Sequence, residues 1–125
     1  MKLINLSLLF LVFALFLTWY SCSDASELTP NEPPVAVFSF APEYADTSSI
    51  ITFDASLSSD MEDVLGNLSF KWDFEGRQRW TTAVKDPIAN FRYSKPGTYN
   101  VGLKVFDSEG WSGELRKDII IRDSV

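Results

Sequence analysis

Carboxylates are the abundant reactive groups of this chain: 17 Asp and Glu stand against 11 Lys and Arg, with one cysteine and no histidine. Asp60, Glu62 and Asp63 fall in one polar stretch, and Asp107 ends a run of alternating apolar residues much further along. Oxygen donors at irregular spacing suit Ca2+, which takes about 6–8 of them. The spacing is not that of an EF-hand loop. The same acids also read as turn formers and surface charge, since Asp accepts hydrogen bonds from its own backbone. A carboxylate pair could flank a glycosidic bond. Any acidic domain holds such pairs, however, and one this small offers little concave volume for a substrate. Without histidine, Ser-His-Asp and Cys-His catalysis and every imidazole metal site are excluded. The chain is expected not to be an enzyme.

Two aromatic stretches suggest contact rather than catalysis. Arg77-Gln78-Arg79-Trp80 is a basic, aromatic loop on an acidic chain, and Trp111 stands in Gly110-Trp111-Ser112-Gly113. Arg and Trp are favoured interface anchors. An exposed indole stacks on an apolar surface while its N–H still bonds. Trp111, Trp80, Arg77 and Arg79 are therefore the expected contact surface. In the other reading Trp80 covers a sheet edge and Trp111 folds back as a lid on the core.

The N-terminus carries an address. Leu3 to Tyr20 is apolar and follows Met1-Lys2, the pattern of an export signal. Its length also just reaches that of a membrane-spanning helix. Cys22 follows directly, and Ser23-Asp24-Ala25-Ser26-Glu27 then turns polar and acidic. This resembles the bacterial lipoprotein signal, which is cut before a lipidated cysteine. The resemblance implies residues 1–21 as signal peptide, Cys22 as the lipidation site, and a lipid-anchored protein of the bacterial cell envelope facing outside the cytoplasm. An uncleaved anchor, or an ordinary signal cut near Ser21 or Ser23, is the alternative. Residues 1–21 hold one basic and no acidic side chain, so the rest of the chain carries −7. That balance disfavours a nucleic-acid partner. Residues 22–34, rich in Pro, Ser and acids, read as a flexible tether.

From residue 35 to 122 the period is that of strands. Leu68, Phe70, Trp72 and Phe74 alternate with polar residues, as do Tyr99, Val101, Leu103 and Val105. Leu115, Ile119 and Ile121 share one parity, which Lys117 and Ile120 interrupt. Shorter β-rich runs cover 35–40, 50–55 and 88–93, with Pro-, Gly- and Ser-rich turns between them. The expectation is an all-β fold: about seven antiparallel strands in a two-sheet, immunoglobulin-like sandwich. With no disulfide to join the sheets, aromatic packing must carry more of the core, centred on Trp72.

Three blocks carry a family resemblance. Ile51 to Asp60 reads ITFDASLSSD, Phe70 to Phe74 reads FKWDF, and Tyr93 to Gly110 follows Y-x-x-P-G-T-Y-x-V-x-L-x-V-x-D-x-x-G. Over about residues 33–121 the chain resembles the PKD (polycystic kidney disease) domain. Its W-D-F strand departs from the pattern by continuing Glu75-Gly76-Arg77 instead of Gly-Asp-Gly. The resemblance implies a β-sandwich of exported and surface proteins, and in some members a calcium site. Asn31, Asp60, Glu62 and Asp107 match that site best. It also implies a non-catalytic module for contact with an envelope protein or glycan. The alternative is a structural spacer or stabilising subunit that recognises no specific ligand.

Overall fold

The computed structural model describes residues 28–125. Cys22 and the 1–21 leader lie outside the described residues. Among those described, no helix is long and apolar enough to cross a membrane. Leu28 to Pro30 have no regular structure, and the folded unit begins at Asn31, earlier than the Val35 expected from sequence.

Seven strands follow: β1 (Ser39–Ala41), β2 (Ala45–Asp46), β3 (Ile51–Asp54), β4 (Ser69–Asp73), β5 (Ile88–Phe91), β6 (Gly97–Phe106) and β7 (Ser112–Arg122). They form two sheets, β1-β3-β5 and β2-β7-β6-β4. The alternating runs become the strands because alternation lets one face of each enter a shared core while the other meets water. On β6 the inward residues are Val101, Leu103 and Val105, opposite Lys117, Leu115 and Gly113 of β7. Lys117 thus keeps inward parity, at the rim, where its amine donates to the Phe38 carbonyl. Ile120 keeps outward parity and is exposed. One pairing departs from expectation: β2 runs parallel to β7. Two short residues, Ala45-Asp46, carry no periodicity that could announce this.

The core is aromatic. Trp72 meets Phe38 edge-on at 5.3 Å and stacks on Phe74 at 5.7 Å. Phe74 stacks on Phe91 at 4.5 Å, Phe91 meets Tyr93, and Tyr93 lies 4.2 Å from Tyr99. The two tyrosine hydroxyls leave the core to find acceptors: Tyr93 donates to the Phe74 carbonyl and Tyr99 to the Lys95 carbonyl, both at 2.6 Å. A bond from Tyr99 to backbone four residues upstream is the corner expected of such a sandwich. The edge of β4 is not left open. Val84 exchanges backbone bonds with Phe70, and Thr81 bonds Trp72 through both its N–H and its hydroxyl. This covers groups that would otherwise template aggregation.

Candidate functional site

The carboxylate loop, the lead-in segment and the β6–β7 turn converge at one end of the sandwich. Asn31 Nδ2 donates to Asp107 Oδ2 at 2.7 Å, across 76 residues of sequence. The lead-in segment can lie this close because β7 carries Gly113 beneath it: a Cβ there would collide with the Pro34 carbonyl. Asp107 is buried, and its Oδ1 accepts the N–H groups of Glu109 (2.9 Å) and Trp111 (2.8 Å). Burial alone would raise the Asp107 carboxyl. The Asn31 amide and the turn N–H groups outweigh it and hold the group below its ordinary value.

Asp60 Oδ1 closes its own turn, accepting from Glu62 N–H (2.8 Å) and Asp63 N–H (2.7 Å). Its other oxygen, Oδ2, is buried with no hydrogen-bond partner. Asp63, not Glu62, spans to the β6–β7 turn, where Ser108 N–H donates to Oδ2 at 2.8 Å. That bond, helped by Asn67 and Lys85, holds the Asp63 carboxyl low. Glu62 faces the Glu32 N–H at 3.5 Å and is otherwise exposed. So the structure joins Asn31 to Asp107 directly, and ties the Asp60 loop to both neighbours through Glu62 and Asp63.

For Ca2+ the fit rests on donor chemistry. A buried carboxylate oxygen without a donor is what a cation would satisfy. Among the described residues no three His, Cys, Asp or Glu side chains are grouped closely enough to hold a metal by themselves. Asn31 would therefore have to supply an amide oxygen beside Asp60 and Asp107.

The aromatic candidates divide. Trp111 is half-exposed, at 51%, and its backbone is held at both ends: N–H to Asp107 Oδ1, carbonyl from Asp107 N–H. Trp80 instead lies half-buried on the outer face of the four-stranded sheet, over Gly102. A Cβ at Gly102 would stand 2.9 Å from the Trp80 ring, so glycine alone lets the indole lie there. Lys104 Nζ sits 4.4 Å and Arg116 Cζ 5.2 Å from its centroid. Arg77 and Arg79 are exposed.

Sequence reasoning missed what anchors this loop. Asp73 is fully buried and its carboxylate accepts from Arg77 N–H (3.1 Å) and Gln78 N–H (2.9 Å). The same group takes the Arg116 guanidinium at 3.1 Å. The altered Glu75-Gly76-Arg77 turn is thus closed from inside by the acid before it. Asp73 shares the polar parity of Ser69 and Lys71 and so gave no local signal, and its partner lies 43 residues away.

These features place the chain in a class: a small two-sheet β-sandwich with loops gathered at one end. The PKD domain family profile matches residues 31–121, and the chain belongs to that family. Among solved structures, a chain solved to give the structural basis for the promiscuous specificity of carbohydrate-binding modules from the β-sandwich superfamily is 32% identical, with a TM-score of 0.68. The match covers 78% of this chain and 37% of that one, so this chain spans well under half of it. The PKD1 domain of Vibrio cholerae metalloprotease PrtV is 28% identical, covering 73% and 99% of the two chains, with a TM-score of 0.56. The PKD1 domain of Vibrio anguillarum Epp, 23% identical over 76% and 100%, shares the fold with a TM-score of 0.58. No curated protein matches the chain.

Proposed function

We propose that this protein is a non-catalytic binding lipoprotein of the bacterial cell envelope. In this reading acylated Cys22 holds it on a membrane, residues 23–30 are the tether, and the PKD sandwich meets a glycan or a protein. The observation that carries the binding role is Trp111: a large aromatic, half-exposed, on backbone clamped by the buried Asp107. A pre-ordered aromatic loses little conformational freedom on contact, which favours binding. The likeness to a chain studied for carbohydrate binding favours a glycan.

The test is Trp111→Ala in a pulldown from solubilised envelope. Captured partner is expected to fall while Tm stays within about two degrees, because surface substitutions usually change stability by about 0.5 kcal/mol or less. Capture that does not depend on Trp111, or no reproducible partner at all, supports the spacer reading. A loss of several kcal/mol would mean that the ring is core.

Asp60 Oδ2 favours a second element, a calcium ion that Asn31, Asp60 and Asp107 would hold beside the Trp111 turn. A ligand that binds only the folded state raises stability in proportion to RT ln(1 + [L]/Kd). Melts in millimolar CaCl2 are expected to shift upward relative to chelator, and the shift should vanish in Asp60→Asn. Identical melts would leave these acids as turn chemistry alone.

A further inference from the structure

The outer face of the four-stranded sheet carries an arrangement that the fold does not need. The β4–β6 register sets Lys71 directly opposite Lys104. Like charges in that position destabilise a sheet. Neither lysine joins an ion pair among the described residues, where Arg116 pairs with Asp73 and Glu114. Glu114 stands opposite Lys104 on its other side, but its carboxylate is turned to Arg116 Nε at 3.0 Å. Each lysine instead lies by an aromatic ring: Lys71 Nζ is 5.4 Å from the centroid of Phe106, and Lys104 Nζ is 4.4 Å from that of Trp80. All four side chains are half-buried and partly open to water. The exposed Arg77 and Arg79 extend from the turn after β4. This is a cationic, aromatic strip on a chain of net charge −6.

We propose that this strip binds a carboxylated polysaccharide, with its uronate groups at Lys71 and Lys104 and its sugar rings against Phe106 and Trp80. The inference rests on the glycan reading of the proposed function and names the class of glycan. A bound carboxylate relieves the repulsion between the two ammonium groups, which no acidic side chain among the described residues does. A uronate carries an apolar C–H face and a carboxylate on one ring, so each unit meets both the aromatic and the cation. An aspartate or glutamate side chain of an acidic peptide meets the cation alone. The acidic remainder of the surface repels a polyanion and confines it to this face. The strip also follows β6 to its Phe106 end, and Trp111 stands in the turn that leaves it.

The experiment measures binding of the full chain, in nonionic detergent, to polygalacturonate, to the same polymer after carboxyl reduction, and to polyglutamate. Polygalacturonate is expected to bind and to weaken as NaCl rises. The reduced polymer should bind at least about tenfold more weakly, as should polygalacturonate to Lys71→Gln or Lys104→Gln, the scale of one lost charge-assisted contact. Both variants should leave Tm within about two degrees, because the like-charge neighbour removed offsets the lost contact with the ring. A larger fall in Tm would make the lysines structural and overturn the proposal. So would equal binding by the lysine variants, absence of polygalacturonate binding, or polyglutamate binding as tightly. If neutral glycans bind through Trp111 while acidic ones do not, the strip proposal fails and the binding-module reading stands.

Discussion

Trp72→Ala is expected to destabilise the domain by about 3–5 kcal/mol, the range for removing a large aromatic from a core. Trp72 is 1% exposed and touches Phe38, Phe53 and Phe74 at centroid distances of 5.3, 5.5 and 5.7 Å. Phe53 belongs to β3 of the other sheet and Phe38 directly precedes its β1, so the indole joins the two layers where no disulfide does. Truncation opens a cavity bounded by rings that are themselves packed on one another and cannot collapse into it. Small domains hold about 5–15 kcal/mol in all, so the variant should sit near the edge of folding. Trp72→Phe should cost much less. It keeps a ring in place and removes an indole N–H that is buried without an acceptor. Urea melts check both, with a lower midpoint and unchanged slope for Trp72→Phe. Equal losses in the two variants would mean that the full indole shape, not simply the presence of a ring, fills this part of the core.

Asp73→Ala is the second large effect, expected at about 3 kcal/mol, the lower end for breaking a buried ion pair from one side. The carboxylate has no exposure, whereas Arg116 keeps 22% and can turn to water, which limits the cost. Removing Asp73 also strands the N–H groups of Arg77 and Gln78. The loop that lays Trp80 on Gly102 should loosen with it. Arg116→Ala should cost less, because Asp73 keeps its two backbone donors. The double variant should cost less than the sum, the mark of a coupled pair. The pair also has a pH signature. Burial would raise the Asp73 carboxyl, but Gln78 N–H, the Arg116 guanidinium and Arg77 N–H together hold it below the ordinary 3.8. The folded state therefore gives up this proton more readily than the unfolded chain. Its contribution is complete above about 3.8 and is lost as pH falls through the folded-state value. The gap in stability between the parent and Asp73→Ala should thus narrow in acid. A constant gap down to pH 2 would show that the charge of Asp73 contributes nothing.

The strands, their inward parity and the aromatic core were legible in the sequence, because the pleat is local: alternating side chains must point to opposite faces wherever the strand pairs. Leu103 and Trp72 therefore announced their own burial, and Lys117 and Ile120, which broke the apolar pattern, still obeyed the parity. The family blocks were legible for the same reason, since Pro96-Gly97-Thr98-Tyr99 builds its corner from neighbours in the chain.

What only the tertiary structure decided is pairing across long separations. Asn31 meets Asp107 over 76 residues, and Asp73 meets Arg116 over 43. Nothing local distinguishes Asp73, which closes a turn and holds an arginine, from any other acid on a strand. Register is likewise a property of two strands together. Lys71 and Lys104 each read as an ordinary outward residue of its own strand, and only the β4–β6 ladder sets them side by side. Trp80 is the clearest case. Its sequence neighbourhood suited both a contact loop and a cover for a sheet, and it is Gly102 on a different strand, bare of a side chain, that lets the indole lie on the sheet. Local sterics choose the strand, and which surfaces meet is set by the packing of two sheets around one aromatic core.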